Sequence, residues 1–119
     1  MSIRDELKTS RLYMDGSMGT LLQTLGLRPG ELPERWNILH RQEIIHIHKN
    51  YFDAGSHIAC TNTFGANSLK FEENELTSII SAAVENAKKA AQLSTATQNK
   101  YVALDIGPLG KLLKPYGDL

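Results

Sequence analysis

Asp15 is followed by Gly16, Ser17, Met18, Gly19 and Thr20, so a carboxylate stands at a tight turn with several backbone amides close behind it. Helical character resumes at about Met18, and the amides that open a helix carry unpaired N–H groups and the positive end of its dipole, which favour an anion. A zwitterion suits that arrangement, with Asp15 for an ammonium group and the amides near Met18 and Gly19 for a carboxylate. Asp-Gly is also a common turn pair, and on its own the cluster reads as a structural turn as well. Two further polar clusters share its setting. Thr61-Asn62-Thr63-Phe64-Gly65-Ala66-Asn67 follows one compact apolar run, and Asp105-Ile106-Gly107-Pro108 follows another.

Other reactive side chains are less suggestive. His46 and His48 are two apart, which on a helix points them to different faces, and no Glu or His follows at a zincin spacing. His48 falls on an apolar stripe and is expected to be a packed helix residue with a hydrogen-bonded tip. Cys60 is the single cysteine. It excludes an internal disulfide framework and reads as a small buried strand residue.

Positioning the polar clusters falls to a regular alternation of short strands and amphipathic helices. Ser2-Ile3-Arg4-Asp5 is a capping-box variant opening a short helix that runs through about Leu7 to Ser10, a lid or plug before the first strand. Leu12-Tyr13-Met14 is a strand candidate, and a short helix from Met18 to Leu25 ends at Gly26. Two prolines, Gly30 and mixed charges predict an irregular loop from Leu27 to Asn37, with Trp36 and Asn37 as its packing anchors. From about Arg41 to Ala54, Ile44, Ile45, His48, Tyr51 and Phe52 form one stripe of a helix, with Gly55 at its C-cap. His57 to Thr61 reads as a strand. Leu76, Ile79, Ile80, Ala83, Ala87, Ala90 and Ala91 predict a second long helix over roughly Glu75 to Leu93, and Tyr101 to Ile106 the last strand.

Strands joined by long helices are crossover units, so the fold class is α/β with three parallel strands and right-handed connections. Their carboxyl ends share one rim. Asp15, Asn62 and the segment 105–107 gather there, where such folds bind ligands.

Composition sets the outer bounds. Among 119 residues, 13 basic and 13 acidic side chains cancel without forming long runs, which argues against nucleic acid or an anionic membrane as partner. The first residues lack the apolar core of a signal peptide, and no segment has the roughly 18 apolar residues of a membrane span. A cytoplasmic protein is the expectation.

The ordered set Asp15-Gly16-Ser17-Met18-Gly19-Thr20, Pro33-Glu34-Arg35-Trp36-Asn37, Ile47-His48 with Tyr51 before Ala54-Gly55-Ser56, the segment 61–67 and Asp105-Ile106-Gly107-Pro108 resembles the opening half of homocysteine S-methyltransferases. The match covers nearly everything from Leu12 onward. It implies the N-terminal portion of a TIM (β/α)8 barrel, a single partial domain over residues 1–119 with a leading helix at 1–11 and the first strand–helix units at 12–119. It implies methyl transfer to the thiol of homocysteine, giving methionine. By carry-over, Asp15 holds the homocysteine amino group, the turn of Gly16, Ser17, Met18 and Gly19 its carboxylate, and Asn62, Thr63 and Phe64 line the pocket. Asn62 and Thr63 are also placed to cap the following segment or to tie the loop to the strand end.

In that family, zinc held by three cysteines on later strands activates the thiol; Cys60 corresponds to none of them, and no zinc ligand or catalytic residue is expected in this chain. The barrel's remaining strands, in the same or another chain, are implied partners, and the chain alone is expected to be inactive. The segment 105–108 looks closer to the corrinoid-dependent or folate-reductase-fused branches than to the betaine-dependent one, with methylcobalamin or methyl-folate as the implied donor. Two other readings stay open: a non-catalytic fragment or pseudoenzyme binding an amino acid or partner chain, and an unrelated α/β-barrel enzyme.

Overall fold

The computed structural model describes residues 2–119. Ser2 caps the first helix, α1 (Ile3–Leu7), by accepting the Asp5 N–H while the Asp5 carboxylate accepts from Ser2, the reciprocal bonds of a capping box. Asn99 donates to Glu6 at 2.6 Å, which pins α1 against the chain just before the last strand. The plug therefore sits at the amino-terminal ends of the strands. That is the side away from the polar clusters.

Helix α2 (Gly19–Thr24) and helix α4 (Arg41–Asp53) stop in the same way. Gly26 and Gly55 take φ of 116° and 111°, and the residue after each donates back to Leu22 and Tyr51 respectively, so each helix ends in a Schellman motif that glycine alone adopts cheaply. The predicted loop at 27–37 is more ordered at its end than its composition suggests. Pro33–Arg35 forms a 3-10 turn that passes directly into helix α3 (Trp36–Leu39), because proline's fixed φ suits a first helical position.

Three chain segments form the sheet. Strand β1 (Ile58–Cys60) pairs in parallel with β2 (Tyr101–Ala103) in the register Ile58 to Tyr101 and Cys60 to Ala103, and Met14 makes a parallel bridge to Ile58 on the other side. The predicted first strand is thus a single rung. Tyr13, at its edge, spends its carbonyl on the His57 and Ile58 amides and its own N–H on the His57 ring, and the ladder extends no further. β2 stops at Ala103 rather than Ile106, since the Asp105 N–H leaves the ladder for the Thr61 hydroxyl.

Helix α5 (Glu73–Leu93) begins two residues earlier than expected, with Glu73 and Glu75 in its first turn where acidic groups complement the dipole. Its small buried residues Ala82, Ala83, Ala87 and Ala90 let it lie close to α4 and the sheet. One apolar cluster joins Leu22, Trp36, Ile44 and Ile47, and a second joins Ile45, Phe52, Ala59 and Ala90. The molecule is α/β with a small parallel sheet. Among the described residues no helix is long and apolar enough to cross a membrane.

His48 corrects one expectation. It is fully buried on α4 as predicted, but both ring nitrogens lack a hydrogen-bond partner instead of one tip being satisfied. Burial holds its pKa down at about 4, so the ring is neutral near pH 7.

Candidate functional site

At the carboxyl end of the sheet, Asp15 is fixed from both sides. Its N–H donates to Ile58 at 2.8 Å, and its Oδ2 accepts the Cys60 N–H at 3.0 Å. The carboxylate is half-buried. Burial is the main reason its pKa is raised, with the charge of Asp105 adding to it, against the opposing pull of the Cys60 hydrogen bond.

Behind Asp15, the turn is braced by Tyr51 of α4, whose hydroxyl donates to the Ser17 carbonyl at 2.6 Å. Gly16 leaves room for that brace, since a Cβ there would lie 3.0 Å from the Tyr51 oxygen and crowd the ring. Ser17 Oγ accepts the Thr20 N–H at 3.3 Å. One opening amide of α2 is therefore used internally, while Met18 and Gly19, at the helix start, have no intrahelical acceptor.

The second and third loops are sewn together by a closed hydrogen-bond ring. The Asp105 N–H donates to Thr61 Oγ1 at 3.1 Å, the two threonine hydroxyls are 2.7 Å apart, and Thr63 Oγ1 donates to the Asp105 carbonyl at 2.6 Å. Because the Thr63 proton goes to that carbonyl, Thr61 is the donor between the hydroxyls. Asn62 donates to the Pro33 carbonyl at 2.8 Å. Asn62 and Thr63 thus tie their loop to the Pro33 turn and to the segment after β2, a structural role the sequence also allowed. Gly107 packs so tightly on Phe64 that a Cβ would lie 2.2 Å from the Phe64 carbonyl oxygen.

These loops enclose a cavity of about 220 Å3 lined by Met18, Gly19, Pro33, Glu34, Thr61, Asn62, Thr63, Phe64 and Asp105. Five of the eight predicted site residues face it: Met18, Gly19, Asn62, Thr63 and Phe64. Asp15, Gly16 and Ser17 are outside its wall, in the adjoining turn. The sequence places Asp105 on this rim without giving it a ligand contact, and it leaves Pro33, Glu34 and Thr61 out of the site. Glu34 is buried, and its Oε2 accepts the Gly65 N–H at 3.1 Å. Its place between Pro33 and Trp36-Asn37, in a stretch already singled out, was the available signal.

Among the described residues no group of three or more His, Cys, Asp or Glu side chains is placed to hold a metal ion. Cys60 is half-buried, and burial together with the Asp15 charge pushes its thiol up to about 11, which keeps it protonated at neutral pH. The zinc implied by the resemblance therefore does not fit the residues present.

The sequence model for homocysteine S-methyltransferases matches residues 12–119. Crystal structures of the homocysteine methyltransferase MmuM from Escherichia coli are similar in fold. The metallated form superposes with a TM-score of 0.75 at 25% identity over 91% of this chain and 42% of that chain. The oxidized form gives 0.76 at 26% identity, over 91% and 41%. The apo form gives 0.65 at 25%, over 86% and 38%. The chain thus spans about two fifths of the length of these relatives. With a match that reaches from the first strand segment to the last residue, this chain belongs to the homocysteine S-methyltransferase family.

Proposed function

We propose that the rim cavity is the amino-acid end of a homocysteine site, and that the chain supplies it as the N-terminal portion of a methyltransferase barrel. The observation that carries this reading is the juxtaposition of an ionisable carboxylate, Asp15, with the amides of Met18 and Gly19 beside a cavity that Asn62, Thr63 and Phe64 close. Asp15 takes the ammonium group. Its raised pKa reflects a buried negative charge, which a cation relieves. The Met18 and Gly19 amides take the carboxylate, and Phe64, exposed at the rim, covers the methylene chain. Asn62 and Thr63 shape the wall through the bonds they make to Pro33 and Asp105 rather than by touching the ligand.

In the transfer itself the bond from the donor to the methyl carbon breaks as the sulfur–carbon bond forms, and the thiol proton leaves. The residues of this chain grip and orient the amino acid.

Calorimetric titration of the chain with homocysteine tests the reading, with homocysteine lacking its amino group as the control ligand. Binding of homocysteine, lost on removing the amino group and weakened about tenfold or more by Asp15→Ala, is the expected result. Equal affinity of Asp15→Ala and parent would remove Asp15 from the site.

A further inference from the structure

Two segments that line the rim cavity, 33–37 and 62–65, are far apart in sequence and touch through three hydrogen bonds. Asn37 Nδ2 donates to the Asn62 carbonyl at 2.7 Å, Asn62 Nδ2 donates to the Pro33 carbonyl at 2.8 Å, and the Gly65 N–H donates to Glu34 Oε2 at 3.1 Å. Asn37 is the centre of this arrangement. Its amide nitrogen has two protons, and the second goes to the Glu34 carbonyl at 2.9 Å. A planar NH2 group with both protons engaged fixes the separation of its two acceptors. Here those acceptors belong to the two walls of one cavity.

Asn37 is itself held from behind. Asn86 of α5, fully buried, donates to the Asn37 carbonyl at 3.0 Å, so the brace is anchored to the longest helix in the molecule. The choice of amides is informative. Asn37 and Asn86 have no exposed surface, and each leaves its Oδ1 buried without a partner, a cost that an apolar side chain would not carry. Packing alone would be met by an apolar residue of the same size. Keeping two buried amides in place of leucines makes sense when their directional bonds are what is needed.

We propose that Asn37, backed by Asn86, is a positioning residue that clamps the 33–37 and 62–65 segments and so sets the width of the cavity. Its role in ligand binding rests on the reading of that cavity as the homocysteine site. The clamp itself holds the two loops whether or not a ligand is bound.

The test compares the full chain with Asn37→Asp, which keeps the size but replaces both donors by a carboxylate oxygen facing two carbonyls. Hydrogen exchange is followed at the Gly65 and Thr63 amides and, as reference, along α5. Homocysteine affinity is measured on the same samples. The clamp predicts exchange at Gly65 faster by about tenfold with α5 unchanged, and homocysteine affinity lower by a similar factor. Should Asn37→Asp fail to fold, Asn86→Ala removes only the backing bond and is expected to give the same local pattern more weakly. Exchange that rises uniformly through α5, or not at all at Gly65, overturns the clamp. Local loosening with unchanged homocysteine affinity overturns its role in positioning substrate. Local loosening in a parent chain that binds no homocysteine supports the clamp and removes the functional reading instead.

Discussion

The Asp15 carboxylate accepts the backbone N–H of Cys60 at 3.0 Å, which sets the charge at the end of one strand segment against the thiol-bearing residue of the next. Burial first, and this charge second, lift the Cys60 thiol to about 11. Alkylation by iodoacetamide is therefore expected to be slow at pH 8, where an ordinary cysteine is partly thiolate. Asp15→Asn keeps an acceptor for the Cys60 N–H and removes the charge. It should speed alkylation severalfold, short of the rate of a free cysteine because the burial remains. Mass spectrometry of the alkylated protein against time gives the rate, and identical rates in the two proteins would show that the carboxylate does not act on the thiol.

His48 makes the fold acid-sensitive. Its folded pKa of about 4 is below the ordinary 6.5, so the unfolded chain takes up a proton that the folded chain refuses. The stabilisation is complete above pH 6.5 and is lost as pH falls toward 4, by roughly 3 kcal/mol over that window. His48→Leu removes both unpartnered nitrogens together with the titration. Urea melts at pH 7 and pH 4.5 should show a steep loss in the parent and a shallower one in the variant. The variant should be close to the parent at pH 7. Parallel losses in both proteins would exclude His48 as the source.

Gly107 is needed for close approach. A Cβ there would lie 2.2 Å from the Phe64 oxygen and 2.9 Å from its ring, so Gly107→Ala must push the two loops apart. A loss of about 1–3 kcal/mol in chemical denaturation is expected. The displaced segment is the one containing Phe64, so its aromatic proton shifts in the NMR spectrum should move with the stability. A variant as stable as the parent, with unmoved Phe64 shifts, would mean that the loops do not pack this way.

Helices α1, α2, α4 and α5 were legible because each announces itself locally. The stripe of Ile44, Ile45, His48 and Phe52 with Gly55 behind it located α4, the alanine stripe located α5, and Ser2 with Asp5 located α1. The second and third strands were placed correctly but drawn too long and the first is only a bridge at Met14, since a ladder ends where its neighbour stops bonding, as at Ala103, and composition does not record that. Helix α3 is one turn, too short to show a period.

At the candidate site, the polar clusters were read from their positions beyond apolar runs, and five of eight residues face the cavity. Glu34 was missed because glutamate is seldom buried, and the Gly65 amide that its carboxylate accepts from is thirty-one residues away. The unsatisfied ring of His48 is likewise a property of what surrounds it.

The ring through Thr61, Thr63 and Asp105 can circulate in one direction only. An amide N–H can only donate and a carbonyl can only accept, so the two hydroxyl rotors between them are locked in sequence, each pointing to the next. Neither threonine can turn to greet an incoming molecule without breaking the whole circuit. The ends of both strands are thus immobilised during folding, and a ligand entering the rim meets walls whose ordering entropy has already been spent.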